Sequence, residues 1–303
     1  MPKLFWTGKL TVPMVLLVNS NNVLAWIIGN NRKAAEMTER VKLGYDGKFT
    51  DHVRSYDDFG LKFQIKAAKA QLEEIDVAGL SVLDVGCGTG AISFLALERG
   101  AGKVTCGDIS SLMLKIAGQK ASSLGFGPDK ISFKELDAQS LPYPDHSFDV
   151  VITGMTMGLI PDQRLAVSEM VRVCRPGGMV CVGAHGPEHY WEAVDACFRT
   201  VPKRRVLGYR LEFWPQSERA LRKMMTRCGL QNLRFKRVIW RNVFPDGGAA
   251  FDFFHAISAS FWYGKFPRDK IGPAVDKTRR YYADKGIKVI TDDVIFGYGI
   301  KPI

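Results

Sequence analysis

No two cysteines in this 303-residue chain are spaced C-x-x-C, and none of the six, at positions 87, 106, 174, 181, 197 and 228, has a histidine at metal-ligand spacing. A zinc site or a disulfide frame is therefore not expected, and thiols scattered through apolar stretches read as reduced and buried, as in a cytoplasmic protein. An uninterrupted apolar run of the ~18 residues that a membrane span requires is also missing. The nearest approach, Leu10 to Ile28, is cut by Asn19-Ser20-Asn21-Asn22, and although Lys3 and Lys9 precede it, no small-residue cleavage pattern follows. Residues 1–58 are expected to form an N-terminal helical arm or lid, whose apolar face offers peripheral membrane contact as a second use. Internal repeats, low-complexity tracts and any Ser-His-Asp or Cys-His arrangement are absent as well.

What is present is ordinary globular composition, 46% hydrophobic and 24% charged, in a chain near the upper length for one hydrophobic core. One catalytic domain over 59–303 with appended caps fits that length better than two independent domains. The net charge of +11 is unevenly placed: residues 1–185 hold 20 Lys/Arg against 19 Asp/Glu, and residues 186–303 hold 22 against 12. A basic C-terminal portion can meet an acidic substituent, an anionic lipid surface or nucleic acid, or can simply be a solvated face.

From residue 80 onward, short Val/Ile-rich runs alternate with helical patterns, which predicts a parallel sheet covered on both faces. Strands are expected near 80–85, 103–108, 131–135, 148–154, 179–185, 232–240 and 293–300. Helices are expected near 91–99, 111–124, 162–174 and 217–228, the last closed by Gly229. The segment 60–75 places Leu61, Ile65, Ala68, Leu72 and Ile75 on one helical face, expected to pack on the sheet edge. Two stretches break the alternation, 186–216 and 242–290, and are expected to be substrate caps; the second holds the aromatic run 249–264 and a basic helical pattern at 268–285.

The chemistry concentrates at Val82-Leu83-Asp84-Val85-Gly86-Cys87-Gly88-Thr89-Gly90, an apolar strand running into three alternating glycines and then a helix. Glycines admit positive φ and let a ligand approach the main chain beside a helix N-terminus. Gly86, Gly88 and Ala91 also satisfy the dinucleotide fingerprint, but Asp84, two residues before the first glycine, would repel a pyrophosphate. A ligand with an amino group and no phosphate, such as S-adenosylmethionine, would be welcomed by it. Asp108, ending the second strand, suits a ribose diol, which NAD shares. After the third strand, Asp137 can accept from an adenine amino group and Ala138 can offer its N–H to the ring.

In that order and spacing, VLDVGCGTG (82–90), GDIS (107–110), DAQSLPYPDHSFDVVITG (137–154) and EMVRVCRPGGMVCVGAHG (169–186) resemble the successive motifs of class I S-adenosylmethionine-dependent methyltransferases, most nearly the group of ubiquinone/menaquinone C-methyltransferases and related small-molecule enzymes. The resemblance implies a Rossmann-like, doubly wound seven-stranded α/β sheet with the last strand antiparallel. It implies that Asp84 and the turn of Gly86, Cys87, Gly88 and Gly90 hold the methionine portion, Asp108 with Ile109 the ribose, and Asp137 with Ala138 the adenine. Thr153, Gly154 and Met155 would line the methyl-transfer mouth, Tyr45 or Tyr56 would close over the cofactor, and S-adenosylhomocysteine would be the product. Where many relatives carry a His-containing turn after the fourth strand, this chain has Met155-Thr156-Met157-Gly158-Leu159-Ile160-Pro161-Asp162, an apolar and soft wall.

Methyl transfer from an activated sulfonium needs alignment and water exclusion, and sometimes a base. The candidate bases are His185 and His189, just past the fifth strand, and His255, among Phe253, Phe254, Phe261, Trp262 and Tyr263. The expected acceptor is a small lipophilic or aromatic molecule, with Lys203, Arg204, Arg205 and Arg210 available to an acidic substituent. Nucleic acid is disfavoured as a partner, because the turn after the fourth strand is not the Asn/Asp-Pro-Pro-aromatic type and no RNA-binding module is recognisable. An RNA or protein methyltransferase and a non-catalytic cofactor-binding subunit are the alternatives; an NAD oxidoreductase is more distant.

Overall fold

The computed structural model describes residues 61–203, 206, 215–258, 261–262 and 266–303. The expected N-terminal arm with Tyr45 and Tyr56, and Arg204, Arg205, Arg210 and Tyr263, lie outside the described residues. Seven strands form one sheet in the order β3-β2-β1-β4-β5-β7-β6. They are β1 (Ser81–Val85), β2 (Lys103–Asp108), β3 (Ile131–Glu135), β4 (Phe148–Thr153), β5 (Cys174–His185), β6 (Gln231–Val243) and β7 (Val289–Ile300). β7 runs antiparallel to both its neighbours, and the pairings from β3 through β5 are parallel. The doubly wound sheet with its reversed last strand thus stands as expected.

Alternation along the strands divides the core in two. Val82, Val104, Cys106, Val150 and Ile152 face the side covered by α1 (Leu61–Leu72), α2 (Ala91–Glu98) and α3 (Ser111–Ser123). Leu83, Val85, Val151, Val180 and Val182 face α4 (Gln163–Val173) and α6 (Glu218–Arg227). Helix starts follow their capping residues: Ser110, Asp162, Ser217 and Asp246 each accept from the backbone N–H three residues on. Gly229, at φ 88°, follows the end of α6, as its place after Cys228 suggested.

Two expectations need correction. The segment 60–75 does not pack on the sheet edge: α1 crosses the middle of the sheet, where Gln71 Nε2 donates to the Thr153 carbonyl at 2.9 Å and the Tyr298 hydroxyl donates to the Gln71 carbonyl at 3.1 Å. The cause is its run of alanines, Ala67, Ala68 and Ala70, which lets the helix backbone come close to the strands. The strands flanking the last insertion are also longer than their apolar cores predicted, since β6 and β7 pair from Val243↔Val289 inward, leaving 244–288 between them. That insertion carries α7 (Gly247–Ile257) and α8 (Arg268–Lys285), which with α5 (Trp191–Thr200) build a third core of Phe251, Phe254, Phe261, Trp262 and Tyr282. Among the described residues no helix is long and apolar enough to cross a membrane, and all six cysteines are free.

Candidate active site

β1 delivers Asp84 to the α1/α2 side of the sheet and ends in the glycine turn. Gly86, Gly88 and Gly90 all have positive φ, at 72°, 54° and 94°. At Gly86 a side chain is excluded by space as well as by φ, because a Cβ would collide with the Thr156 side chain. Thr156 in turn donates its hydroxyl to the Gly86 carbonyl at 3.0 Å, tying the turn after β4 to the turn after β1. The backbone N–H groups of Gly86 and Cys87 both donate to the Gly107 carbonyl.

Asp84 is 1% exposed. Its Oδ2 accepts from the Ser93 hydroxyl at 2.7 Å, reached from the first turn of α2. Its Oδ1 is buried without a hydrogen-bond partner. Burial pushes the carboxyl up to about 7, opposed by the Ser93 bond and reinforced by the charge of Asp108. A carboxylate held at that cost is poised for a cation, which would supply both the missing hydrogen bond and the compensating charge.

Asp108, at the end of β2, accepts from the N–H of Gly88 at Oδ2 (2.8 Å) and from the N–H of Ser110 at Oδ1 (2.9 Å). It therefore braces the glycine turn. Cys87 and Cys106 lie beneath the turn, and their mutual hydrogen bond with burial pushes the Cys87 thiol up, away from thiolate reactivity.

A cavity opens from Asp84, Gly86, Cys87 and Gly88, past Gly154 and Met155, to an apolar end formed by Phe63, Leu159, Phe253 and Ile257, with His185 and Tyr190 beside them. Its described lining contains no lysine or arginine. Of the residues expected from sequence, Asp84, Gly86, Cys87, Gly88, Gly154, Met155 and His185 line this space. Gly90 opens α2 below it, and Thr153 is fully buried beneath Gln71. Ile109 is half-buried beside Asp108, while Asp137 and Ala138 stand half-buried past β3, outside the lining; the Asp137 carboxylate accepts from the Gln139 backbone and side chain. Of the paired methionines, Met155 faces the cavity and Met157 packs into the sheet core.

The candidate histidines separate. His185 lines the cavity; His189 is buried behind it with ring centres 4.3 Å apart, its Nδ1 accepting from the Asp293 N–H at 3.2 Å. His255 stands apart, stacked on Phe251 and near Trp262 in the cap core. Sequence reasoning missed Ser93, Thr156, Tyr190 and the α1 wall of Phe63, Gln64, Ala67, Ala68 and Gln71. A signal for the wall existed: Gln64 and Gln71 recur seven residues apart, two turns along one face that otherwise reads apolar.

Residues 83–182 match the family described as a methyltransferase domain. A ubiquinone/menaquinone biosynthesis C-methyltransferase of Hahella chejuensis is 40% identical over 107 residues, 35% of this chain and 43% of that protein. A phosphatidylethanolamine N-methyltransferase of Cereibacter sphaeroides is 39% identical over 111 residues, 37% of this chain and 53% of that protein. This chain thus spans about half the length of the curated relatives it matches. Among solved structures, phosphoethanolamine N-methyltransferase 2 of Haemonchus contortus, with phosphomonomethylethanolamine and S-adenosylhomocysteine bound, shares the fold at TM-score 0.54 and 17% identity, over 84% of this chain and 58% of that one.

Proposed function

We propose, from the match of residues 83–182 to a methyltransferase domain, that this chain transfers a methyl group from S-adenosylmethionine to a small lipophilic or aromatic acceptor. The observation that carries the reading is the buried Asp84, whose Oδ1 lacks a partner at the mouth of a triple-glycine turn. Asp84 takes the amino group of the methionine portion, the glycine turn gives that portion backbone room, and Asp108 accepts from the ribose hydroxyls. Asp137 and Ala138 serve the adenine. When bound, S-adenosylmethionine supplies a methyl carbon already activated by its sulfonium.

The chain's own residues then align and dry the acceptor. Phe63, Met155, Leu159, Phe253 and Ile257 make the acceptor end apolar, which excludes water and selects a lipophilic ring or chain. The described lining offers no cation to a phosphorylated head, which favours an uncharged acceptor over a phospho-base. His185 is the histidine placed to meet the acceptor; His189 supports it from behind, and His255 has no place in the reaction.

The test is calorimetric titration of the full chain with S-adenosylhomocysteine, followed by labelled-methyl transfer into a total lipid extract and, separately, into bulk RNA and protein. Binding with label recovered in an organic-soluble small molecule is the expected result. Label in RNA or protein would assign a macromolecular acceptor, and binding with no transfer anywhere would assign a non-catalytic subunit.

A further inference from the structure

The α1 wall of the cavity carries an amide whose hydrogen bonding is half complete. Gln71, in the last turn of α1, lines the cavity and is 1% exposed. Its Nε2 donates to the Thr153 carbonyl at 2.9 Å and to Cys181 Sγ at 3.1 Å, so both amide protons are taken. Its Oε1 accepts from no group among the described residues. Because the amide is planar and its nitrogen is turned onto the strands, the oxygen is the polar atom left to the space that Gln71 lines.

That orientation is fixed by chemistry. Exchanging the nitrogen and oxygen of the amide would set two carbonyl oxygens against each other at 2.9 Å with no proton between them. The backbone under the side chain is fixed as well. Carbonyls of the last turn of α1 accept from side chains of three other segments: Ala70 from Lys236 Nζ of β6, Gln71 from the Tyr298 hydroxyl of β7, and Leu72 from Arg99 at the end of α2. Gln71 is therefore held by its carbonyl at one end and by its amide nitrogen at the other.

Sheet register separates this amide from the acids expected to hold the cofactor. Asp84 of β1, Ile152 of β4 and Cys181 of β5 stand in one row across the sheet. With neighbouring strands about 4.8 Å apart, the Cys181 backbone lies about 10 Å from that of Asp84. Gln71 rests on β4 and β5, whereas Asp108 lies on β2, beyond Asp84 in the opposite direction.

We propose that Gln71 is a specificity-determining residue whose Oε1 accepts a hydrogen bond from an O–H or N–H of the methyl acceptor. This deepens the proposed methyl transfer and rests on it. With its protons committed to Thr153 and Cys181, Gln71 can only accept. A lipophilic molecule that brings a donor to this point is held, whereas an ether, an ester or a tertiary amine meets Oε1 lone pair against lone pair and leaves it unpaired. A polar group set to bond one donor rejects the analogue lacking it more strongly than an apolar wall rejects a change of one methyl group. The apolar end of the cavity thus selects a lipophilic acceptor, and Gln71 selects which of its atoms is turned to β4 and β5.

Fragments that differ in a single donor test this on the full chain saturated with S-adenosylhomocysteine. The pairs are indole with 1-methylindole and 2-naphthol with 2-methoxynaphthalene, their affinities measured by saturation-transfer NMR. In the parent the donor-bearing member of each pair should bind about tenfold tighter, the worth of one hydrogen bond. Gln71→Met fills a similar volume without the amide and should bring each pair to within about twofold, with S-adenosylhomocysteine affinity unchanged. If Gln71→Met fails to fold, the parent labelled with carbon-13 at the glutamine side-chain carbonyls gives the reading. One resonance, still present in Gln64→Met, should move on adding indole and hold still on adding 1-methylindole. Equal affinities within both pairs in the parent, a preference that survives Gln71→Met, or weakened S-adenosylhomocysteine binding in a folded Gln71→Met overturns the assignment. Failure of the parent to bind S-adenosylhomocysteine would sink the methyltransferase reading itself, whereas binding and transfer with indifferent pairs would sink only the role of Gln71.

Discussion

Gly88 donates its backbone N–H to Asp108 Oδ2 at 2.8 Å, so the carboxylate ending β2 holds the middle glycine of the turn that follows β1. Two motifs twenty residues apart thereby become one device. A carboxylate expected to face only a ribose also sets the shape of the loop that receives the rest of the ligand.

Replacing Asp108 should therefore weaken binding more than loss of ribose contacts alone. Asp108→Ala removes the acceptor of two backbone donors, Gly88 and Ser110. Hydrogen bonds to charged groups are each worth about 1.5–3 kcal/mol, so S-adenosylhomocysteine affinity should drop about 100-fold, with Asp108→Asn intermediate. Calorimetry of the two variants checks this ordering.

Asp84 should make both stability and binding depend on pH. Its folded value, about 7, lies above the ordinary 3.8, so the folded state binds more protons than the unfolded state between these values. Its contribution to stability is present below about pH 4 and is lost as pH rises through 7. At about 1.4 kcal/mol per pH unit, the total is a few kcal/mol. The ligand-free melting temperature should fall from pH 5 to 7.5, and the rise on adding S-adenosylhomocysteine should be largest above pH 7. Asp84→Asn should flatten the first trend and remove most of the second. Asp292 carries the same sign with a value of about 6, so Asp292→Asn, measured alongside, separates the two carboxyls.

Gly86→Ala should be damaging, and only partly repairable. The new methyl would overlap Thr156, and φ 72° is unfavourable for any residue with a Cβ by about 1–2 kcal/mol. Adding Thr156→Ala removes the two closest of the overlapping atoms and leaves the Thr156 Cβ contact and the backbone strain. The single variant should melt well below the parent, and the double variant should recover part of the loss. Equal melting temperatures for the two would place the penalty in φ and the remaining Cβ contact.

Arg237 and Asp293 form the most deeply buried ion pair among the described residues, with Asp293 fully buried and also accepting from the Glu188 N–H. Asp293→Ala leaves the guanidinium with its Glu188 contact and strands that N–H. Because Arg237 keeps 40% of its side chain in solvent, the cost should sit at the low end of the buried-pair range, about 3 kcal/mol. Urea denaturation of Asp293→Ala, with Arg237→Met as the isosteric comparison, measures it. The Met variant should lose less than Asp293→Ala does.

The strand–turn–helix around Asp84, the acid at Asp108 and the alternation of strand and helix were legible in sequence because they depend on residues close together in the chain. Periodicity, glycine and short-range charge carry that information without any long-range contact. His255 shows where such reading stops. Its aromatic surroundings left pocket and core equally open; Phe251, Phe254, Trp262 and Tyr282 close on one another as core, and Phe253 of the same helix belongs to that core and also lines the cavity. Both roles meet on α7, and helical spacing alone does not say which face meets which neighbour.

Local order along the chain thus specified an α/β sheet and the bend that accepts an adenosyl amino acid. Which side chains share the acceptor space was settled by packing. α1 was drawn across mid-sheet by its alanines, Ser93 came to Asp84 one helical turn past the glycines, and the Tyr190 N–H was brought to the Thr291 carbonyl, about a hundred residues later in sequence. Such contacts arise when distant segments bury surface together, and no periodicity in either segment records its partner.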